Sequence, residues 1–222
     1  MSERDALPRE WFERIDPSPD PLFYAVPRLV NHIEDATIAA LTDYYREVLP
    51  PGGAILDLMS SWVSHLPADV GFGRVAGLGM NREELAANPR LTEFCVRDLN
   101  TYPALPYEAE SFDAVLCAVS IQYLTQPVTV FADVRRVLRR GGISIVAMSH
   151  RCFPTKAVRA FHVLPREGRL ELVATYHGLA GGFDTPEYLD RSPQGSPSEP
   201  KASEDHEVGA DPLWIVTARR SA

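Results

Sequence analysis

The sequence lacks the residue patterns of a disulfide scaffold, a metal centre or a membrane span. Its three cysteines, Cys95, Cys117 and Cys152, are widely separated and form no C-x-x-C pair, which is typical of a reduced, intracellular protein. Its six histidines show no H-x-x-x-H spacing of the kind found in zinc hydrolases. No segment approaches the ~18 consecutive apolar residues of a transmembrane helix. We therefore expect a soluble, cytoplasmic protein that binds no metal.

Basic residues are also in the minority, with 22 Lys and Arg against 30 Asp and Glu and a formal net charge of -8. This balance disfavours nucleic acid and anionic membranes as partners and favours a small molecule. The 222 residues, 45% of them hydrophobic, suffice for one sizeable core. We expect a single structural domain, made of an N-terminal arm and lid helix over residues 1–50 and a core over residues 51–222. The sequence carries no indication of the oligomeric state.

Apolar periodicity predicts an alternation of strands and helices. Strands are predicted at residues 54–58, 74–78, 93–99, 114–119 and 144–148, and helices at residues 31–48 and from near residues 61, 82, 129 and 156. Such alternation indicates a doubly wound, mostly parallel α/β sheet with helices on both faces. Residues 170–177 and 213–218 are predicted to form an antiparallel C-terminal hairpin, connected through a flexible loop at about residues 184–211.

The segment at residues 130–145, VFADVRRVLRRGGISI, combines a helical pattern with a glycine turn and a strand. We expect its helix to continue through Arg139 and Arg140, where cations interact favourably with the negative end of the helix dipole. Gly141 and Gly142 are predicted to stop the helix by adopting left-handed backbone conformations.

This segment and three others resemble the class I S-adenosylmethionine-dependent methyltransferases, in the methyltransferase type 11-like branch that acts on small molecules. The other three are VAGLG at residues 75–79, VRDL at residues 96–99 and SFDAV at residues 111–115. The order and spacing of the four segments carry the resemblance. It implies a Rossmann-like sheet of seven strands, S-adenosylmethionine as cofactor with S-adenosylhomocysteine as product, and in-line transfer of a methyl group to a small-molecule acceptor.

The resemblance also implies where the cofactor binds, at the carboxyl ends of the first four strands. Asp98 is expected to accept the adenine amino hydrogens while the backbone N–H of Leu99 meets a ring nitrogen. Residues 118–120 are expected beneath the sulfonium and the reacting methyl group. The complete set of expected cofactor-binding residues is Asp57, Met59, Ser60, Ser61, Gly79, Met80, Asn81, Asp98, Leu99, Val119 and Ser120.

Two positions depart from the family pattern. The loop at residues 59–65 reads MSSWVSH and has no glycine, although glycine is what allows a backbone to pass close to a ligand. Gly79 stands where the family has an acidic residue that holds the ribose, so we expect Asn81 to supply polar groups instead. Ser60 and Ser61 are expected either to bind the amino-acid end of the cofactor or to cap a helix.

His150 and Tyr123 are the candidate catalytic residues. His150 directly follows the fifth strand and is a candidate general base, with a capping role as the alternative. Tyr123 either orients a substrate oxygen or packs in the core. Arg151 and Lys156 form a local cationic cluster, which indicates an anionic group on the acceptor unless both side chains are simply solvated.

Two further functions remain open at this point. One is a methyltransferase-fold protein with an altered or noncatalytic ligand pocket. The other is an NAD-linked oxidoreductase, which requires G-x-G-x-x-G after the first strand. The nearest match, GLGMNR at residues 77–82, follows the second strand and lacks the last glycine.

Overall fold

A computed structural model describes residues 7–196 and 210–222 of the chain. Its strands are β1 (Ala54–Leu58), β2 (Arg74–Gly79), β3 (Glu93–Val96), β4 (Phe112–Ala118), β5 (Leu138–Met148), β6 (Glu187–Asp190) and β7 (Trp214–Arg219). These seven strands form one sheet in the order β3-β2-β1-β4-β5-β7-β6. Strand β7 runs antiparallel to both β5 and β6, and the other pairs are parallel. The predicted Rossmann-like sheet with an antiparallel C-terminal hairpin is confirmed.

Helices cover both faces of this sheet. They are α1 (Asp20–Phe23), α2 (Asp35–Val48), α3 (Arg82–Ala87), α4 (Pro127–Val137), α5 (Ala160–Val163) and α6 (Arg166–Ala180). Tyr45 of α2 packs in one core cluster with Ile55 of β1. Leu56, whose side chain points to the opposite face of the same strand, packs in a second cluster with Val134 of α4. Both faces of the central strands are therefore buried, as in other parallel sheets.

The predicted C-terminal hairpin has a different first strand from the one expected. Residues 170–177 lie in α6, and the strand that pairs with β7 is β6, within the expected flexible loop. The apolar residues Leu170, Val173 and Tyr176 recur at helical spacing and are buried on one side of α6. Residues 197–209 of the expected loop lie outside the described residues.

One predicted helix is absent, and two others are shorter than expected. No helix begins near residue 61, because residues 60–73 form an irregular connection between β1 and β2. Helix α4 ends at Val137, and Arg139 and Arg140 lie in β5, whose first residue pairs with Phe112. Of the two glycines expected to stop α4, Gly141 has a φ of 73° within the strand. The helix expected near residue 156 is the single turn α5.

The N-terminal arm, described from residue 7 up to α2, lies against the core. Its Phe12 ring contacts Tyr176 of α6 at a centroid distance of 6.3 Å, and its Phe23 ring contacts Phe153 at 5.3 Å. These contacts place the arm beside the carboxyl ends of the parallel strands. Among the described residues, no helix has the length and apolarity that a membrane crossing requires.

Candidate active site

A cavity of about 320 Å³ lies at the carboxyl ends of β1, β2, β3 and β4. These four strands are parallel neighbours in the sheet, so the residues that follow them meet at one edge. Of the predicted site residues, the cavity is lined by Asp57, Met59, Ser60, Ser61, Gly79, Met80, Asn81, Asp98, Leu99, Val119, Ser120 and Tyr123. His150 does not belong to this lining. Residues of the N-terminal arm complete the wall.

Asp57 is a buried carboxylate at the end of β1. The hydroxyls of Ser60 and Ser64 both donate to its Oδ2, at 2.5 Å and 2.6 Å. Burial raises the pKa of Asp57 to about 6, although the two hydroxyls oppose the shift. The contact of Ser64 with Asp57 was not predicted, because the two residues are seven positions apart and an irregular loop has no periodic pattern that would indicate it.

The loop after β1 is held by side chains in place of glycine turns. The Ser61 hydroxyl donates to Glu84 Oε2 at 2.6 Å, and the Asn88 amide donates to Ser61 O and Ser64 Oγ, both at 2.9 Å. The backbone N–H of Ser60 donates to Leu78 O at 2.8 Å. Ser61 therefore caps no helix and instead ties the loop to α3.

Gly79 is required by a close approach of two backbones. A Cβ added at this position would lie 2.1 Å from Ser60 O, so no acidic side chain fits there. The cavity is instead lined by Glu84, which lies in the first turn of α3 and is 8% exposed. Glu84 was not predicted, because a glutamate in the first turn of a helix is usually explained by its favourable interaction with the helix dipole.

Asn81, the predicted replacement for the missing acid, caps α3. Its Oδ1 accepts from the backbone N–H groups of Glu83 and Glu84, at 2.9 Å and 3.1 Å. Its Nδ2 donates to the carbonyl oxygens of Tyr24 and Ala25 in the arm, at 3.0 Å and 3.2 Å. The side-chain amide is thus already engaged, and it fastens the arm over the cavity.

Asp98 is oriented by a turn that follows β3. Its Oδ1 accepts from the Asn100 N–H at 2.9 Å and its Oδ2 from the Thr101 hydroxyl at 2.5 Å. A carboxylate oxygen can accept a second hydrogen bond, so Asp98 retains capacity for a ligand. Asn100 lies beside it, but its Nδ2 donates to Asp20 and to the Tyr123 carbonyl oxygen.

Three residues that line the cavity, Met59, His65 and Val119, have left-handed backbone conformations. Met59 follows β1 with a φ of 59°, and Val119 follows β4 with a φ of 45°. This region is unfavourable for a β-branched residue such as valine. Such strain concentrates at functional sites. The N–H of Val119 donates to Ala147 O at 2.8 Å, and its carbonyl oxygen accepts from the Gln122 side chain at 2.8 Å.

Tyr123 is buried beside the cavity with its hydroxyl at a loop after β5. The backbone N–H of Phe153 donates to the Tyr123 hydroxyl oxygen at 2.8 Å, and the two rings stack with centroids 5.8 Å apart. Burial raises the pKa of Tyr123 well above its ordinary range. The side chain is therefore a neutral phenol, and its O–H is a hydrogen-bond donor.

His150 and the predicted cationic cluster lie among acidic residues. His150 Nε2 is 3.1 Å from Asp211 Oδ1. Arg151, which does line the cavity, pairs with the same carboxylate and with Glu34. Lys156 is fully buried, and its Nζ lies 2.7 Å from Ser18 O. Lys156 is thus no solvated surface residue, and the cluster leaves little positive charge for an acceptor.

The glycine pair in GLGMNR has a packing role within β2. A Cβ on Gly77 would lie 2.4 Å from Leu91 Cδ1, and Gly79 approaches the Ser60 carbonyl oxygen. Both glycines lie inside the strand and not in a loop after it. A phosphate-binding loop for NAD is therefore not formed here.

Comparisons with known proteins agree with this architecture. The model of the family described as a methyltransferase domain matches residues 61–146. No curated protein matches the chain. Among solved structures, the [4+2]-cyclase SpnF is 19% identical with a TM-score of 0.59, over 91% of this chain and 93% of that one.

Two other solved structures are S-adenosylmethionine-dependent methyltransferases. The protein from Mesorhizobium loti is 18% identical with a TM-score of 0.51, over 82% of this chain and 98% of that one. The protein from Thermotoga maritima is 17% identical with a TM-score of 0.53, over 84% and 91%. Similarity at this level concerns the fold, and the family match adds the sequence signature. The chain therefore has the fold of these methyltransferases, and its residues 61–146 match the methyltransferase-domain model.

Proposed function

We propose that the protein transfers the methyl group of S-adenosylmethionine to a small-molecule acceptor. The observation that carries this proposal is the cavity itself, which extends along the ends of four parallel strands and is closed by the N-terminal arm. Its volume of about 320 Å³ lies in the range of small-molecule sites. A folded macromolecule would need a larger exposed surface.

The polar groups of the cavity fit the chemistry of the cofactor. Carboxylates such as Asp98 suit an adenine amino group, and the region of Met80 and Glu84 suits ribose hydroxyls. Residues 57–61 would hold the methionyl end, and Val119 with Ser120 would lie beneath the reacting methyl. When bound, S-adenosylmethionine supplies an electrophilic methyl group on a positively charged sulfur.

The chain's own contribution to catalysis is alignment and exclusion of water, which in-line displacement chiefly requires. The Asn81 side chain binds the arm over the cavity, and Trp62 Nε1 donates to Val30 O at 3.0 Å. Tyr123, as a neutral donor, would bind and orient an acceptor oxygen. His150 is not among the residues that line the cavity, which argues against His150 as the general base.

Calorimetric titration with S-adenosylhomocysteine tests the cofactor site. We expect the wild-type protein to bind it and Asp98→Ala to weaken binding at least about tenfold, since a hydrogen bond to a charged group is lost. Glu83→Ala is the matched control, because Glu83 is exposed and does not line the cavity. A folded wild-type protein that binds no adenosyl ligand would refute the proposal.

A screen of metabolites for formation of S-adenosylhomocysteine tests transfer. Tyr123→Phe should lower kcat on an oxygen acceptor while leaving the Kd of S-adenosylhomocysteine unchanged. His150→Gln should leave turnover unchanged, and a large loss would restore His150 as the base. These variants separate chemistry from cofactor binding.

A noncatalytic or altered pocket is the second candidate function. The glycine-free loop and Gly79 favour it, and SpnF, named as a [4+2]-cyclase, shares the fold. Binding of S-adenosylhomocysteine without methylation of any acceptor in the screen would support this alternative. NAD titrated in parallel should not bind.

A further inference from the structure

Three arginines line the cavity, and they differ in their partners. The charge of Arg151 is neutralised by Asp211 and Glu34. Arg97 directly precedes Asp98, at the end where adenine is expected, and its Nε donates to Tyr102 O at 3.0 Å. Arg28, in the arm, forms no ion pair with any carboxylate of the described residues. It is the arginine best suited to receive an anion away from Asp98.

Aromatic rings and backbone carbonyls fix the Arg28 guanidinium in place. The Cζ atom of Arg28 lies 4.6 Å from the Phe23 ring centroid and 5.3 Å from the Phe153 ring centroid. Nη2 donates to Phe23 O at 3.0 Å and Nη1 to Val26 O at 3.4 Å. A guanidinium has five N–H donors, so three remain for a ligand after these two contacts within the described structure.

Arg28 is also connected to the glycine-free loop. Its backbone N–H donates to Glu84 Oε1 at 2.7 Å, and Glu84 Oε2 accepts from the Ser61 hydroxyl at 2.6 Å. One carboxylate therefore joins the arm, α3 and the loop after β1. This connection links Arg28 to the loop that follows β1.

We infer that Arg28 binds the carboxylate of the methionyl end of the cofactor. This inference rests on the proposed function. In the loop after β1, side chains replace the glycines that would let backbone N–H groups approach the ligand closely. An arginine fork offers a carboxylate two parallel charge-assisted hydrogen bonds. The arm thus supplies the anion-binding group that the loop lacks.

A comparison of two ligands tests this assignment by binding alone. S-Adenosylhomocysteine carries the carboxylate, whereas 5′-methylthioadenosine has the same adenosine and thioether but no amino-acid end. Their Kd values would be measured calorimetrically for the wild type and for Arg28→Gln. We expect the substitution to weaken the binding of S-adenosylhomocysteine by about 10- to 100-fold and to leave the Kd of 5′-methylthioadenosine unchanged.

Two further variants sharpen the result. Arg28→Lys keeps the positive charge but loses the planar fork. Its Kd for S-adenosylhomocysteine should therefore lie between those of the wild type and Arg28→Gln, and its Kd for 5′-methylthioadenosine should be unchanged. Arg97→Gln removes the cavity arginine at the adenine end, and it should change the affinities for both ligands by the same factor. Unchanged 5′-methylthioadenosine binding also shows that each Arg28 variant is folded.

Equal losses for both ligands in Arg28→Gln would overturn the inference, because they would indicate a structural role. Unchanged affinity for both would also overturn it, and a rise only in the KM of the acceptor would assign Arg28 to the acceptor instead. These outcomes leave the proposed function intact. A wild-type protein that binds neither ligand would overturn both the proposed function and the inference.

Discussion

The buried carboxyl of Asp57 makes the stability of the fold depend on pH. Its pKa is 3.8 ordinarily and about 6 in the folded protein, where burial penalises the charged form. The folded state therefore holds this proton more tightly than the unfolded chain does. The resulting stabilisation is complete below pH 3.8 and is lost as the pH rises through about 6.

Asp57→Asn removes this dependence while retaining the hydrogen bonds. An amide oxygen can accept from the Ser60 and Ser64 hydroxyls as Oδ2 does, but an amide does not ionise. At 1.36 kcal/mol per pKa unit, the difference between 3.8 and about 6 corresponds to about 3 kcal/mol. The free energy of unfolding of the variant should match that of the wild type at pH 4 and exceed it by up to about 3 kcal/mol at pH 8.

Calorimetric unfolding of both proteins between pH 4 and pH 8, without ligand, measures this difference. For a chain of 222 residues, the gain at pH 8 corresponds to a Tm increase of about 6 to 12 °C. Asp69→Asn is the control, since Asp69 is an exposed carboxylate whose pKa is lowered by its hydrogen bond to Arg46. It should show no gain at pH 8. A constant difference for Asp57→Asn at all pH values, or a less stable variant at pH 8, would refute the reasoning.

Two other substitutions test packing around the site. Gly79→Ala places a Cβ 2.1 Å from Ser60 O and should destabilise the fold by about 1 to 3 kcal/mol in denaturant unfolding; Gly71→Ala, where the added Cβ has open space, should not. Lys156→Met removes a fully buried cation from Asp16 and Asp20 and should cost about 3 kcal/mol. Unchanged midpoints for either variant would contradict the corresponding contact.

The central strands could be predicted from the sequence because each is a short apolar run. Ile55 and Leu56 are adjacent in β1 and both fully buried, as expected for a parallel strand covered on two faces. Strand β6 had no such signal, since its sequence EYLD is polar and largely exposed. It is a strand because β7 offers it an edge with which to pair.

Helix α6 shows the limit of local patterns. Residues 170–177 read LELVATYH, which alternates well enough for a strand. Packing decides for a helix, because the Phe131 ring of α4 meets Tyr176 at 5.8 Å and His177 at 4.6 Å. Tyr176 and His177 lie three and four residues after Val173, and helical spacing places residues so separated on the same side of α6.

The predicted residues at the ends of β1 to β4 line one cavity because parallel neighbouring strands bring their carboxyl ends to the same edge. The sequence alone therefore determined the parallel strands β1 to β5 and the side chains that the ends of β1 to β4 present. Only the tertiary structure decided how the glycine-free loop is held, through Ser64 and Glu84, and that Arg28 of the arm reaches the cavity. These contacts join residues far apart in the chain, Arg28 and Glu84 by 56 positions, so no local pattern encodes them.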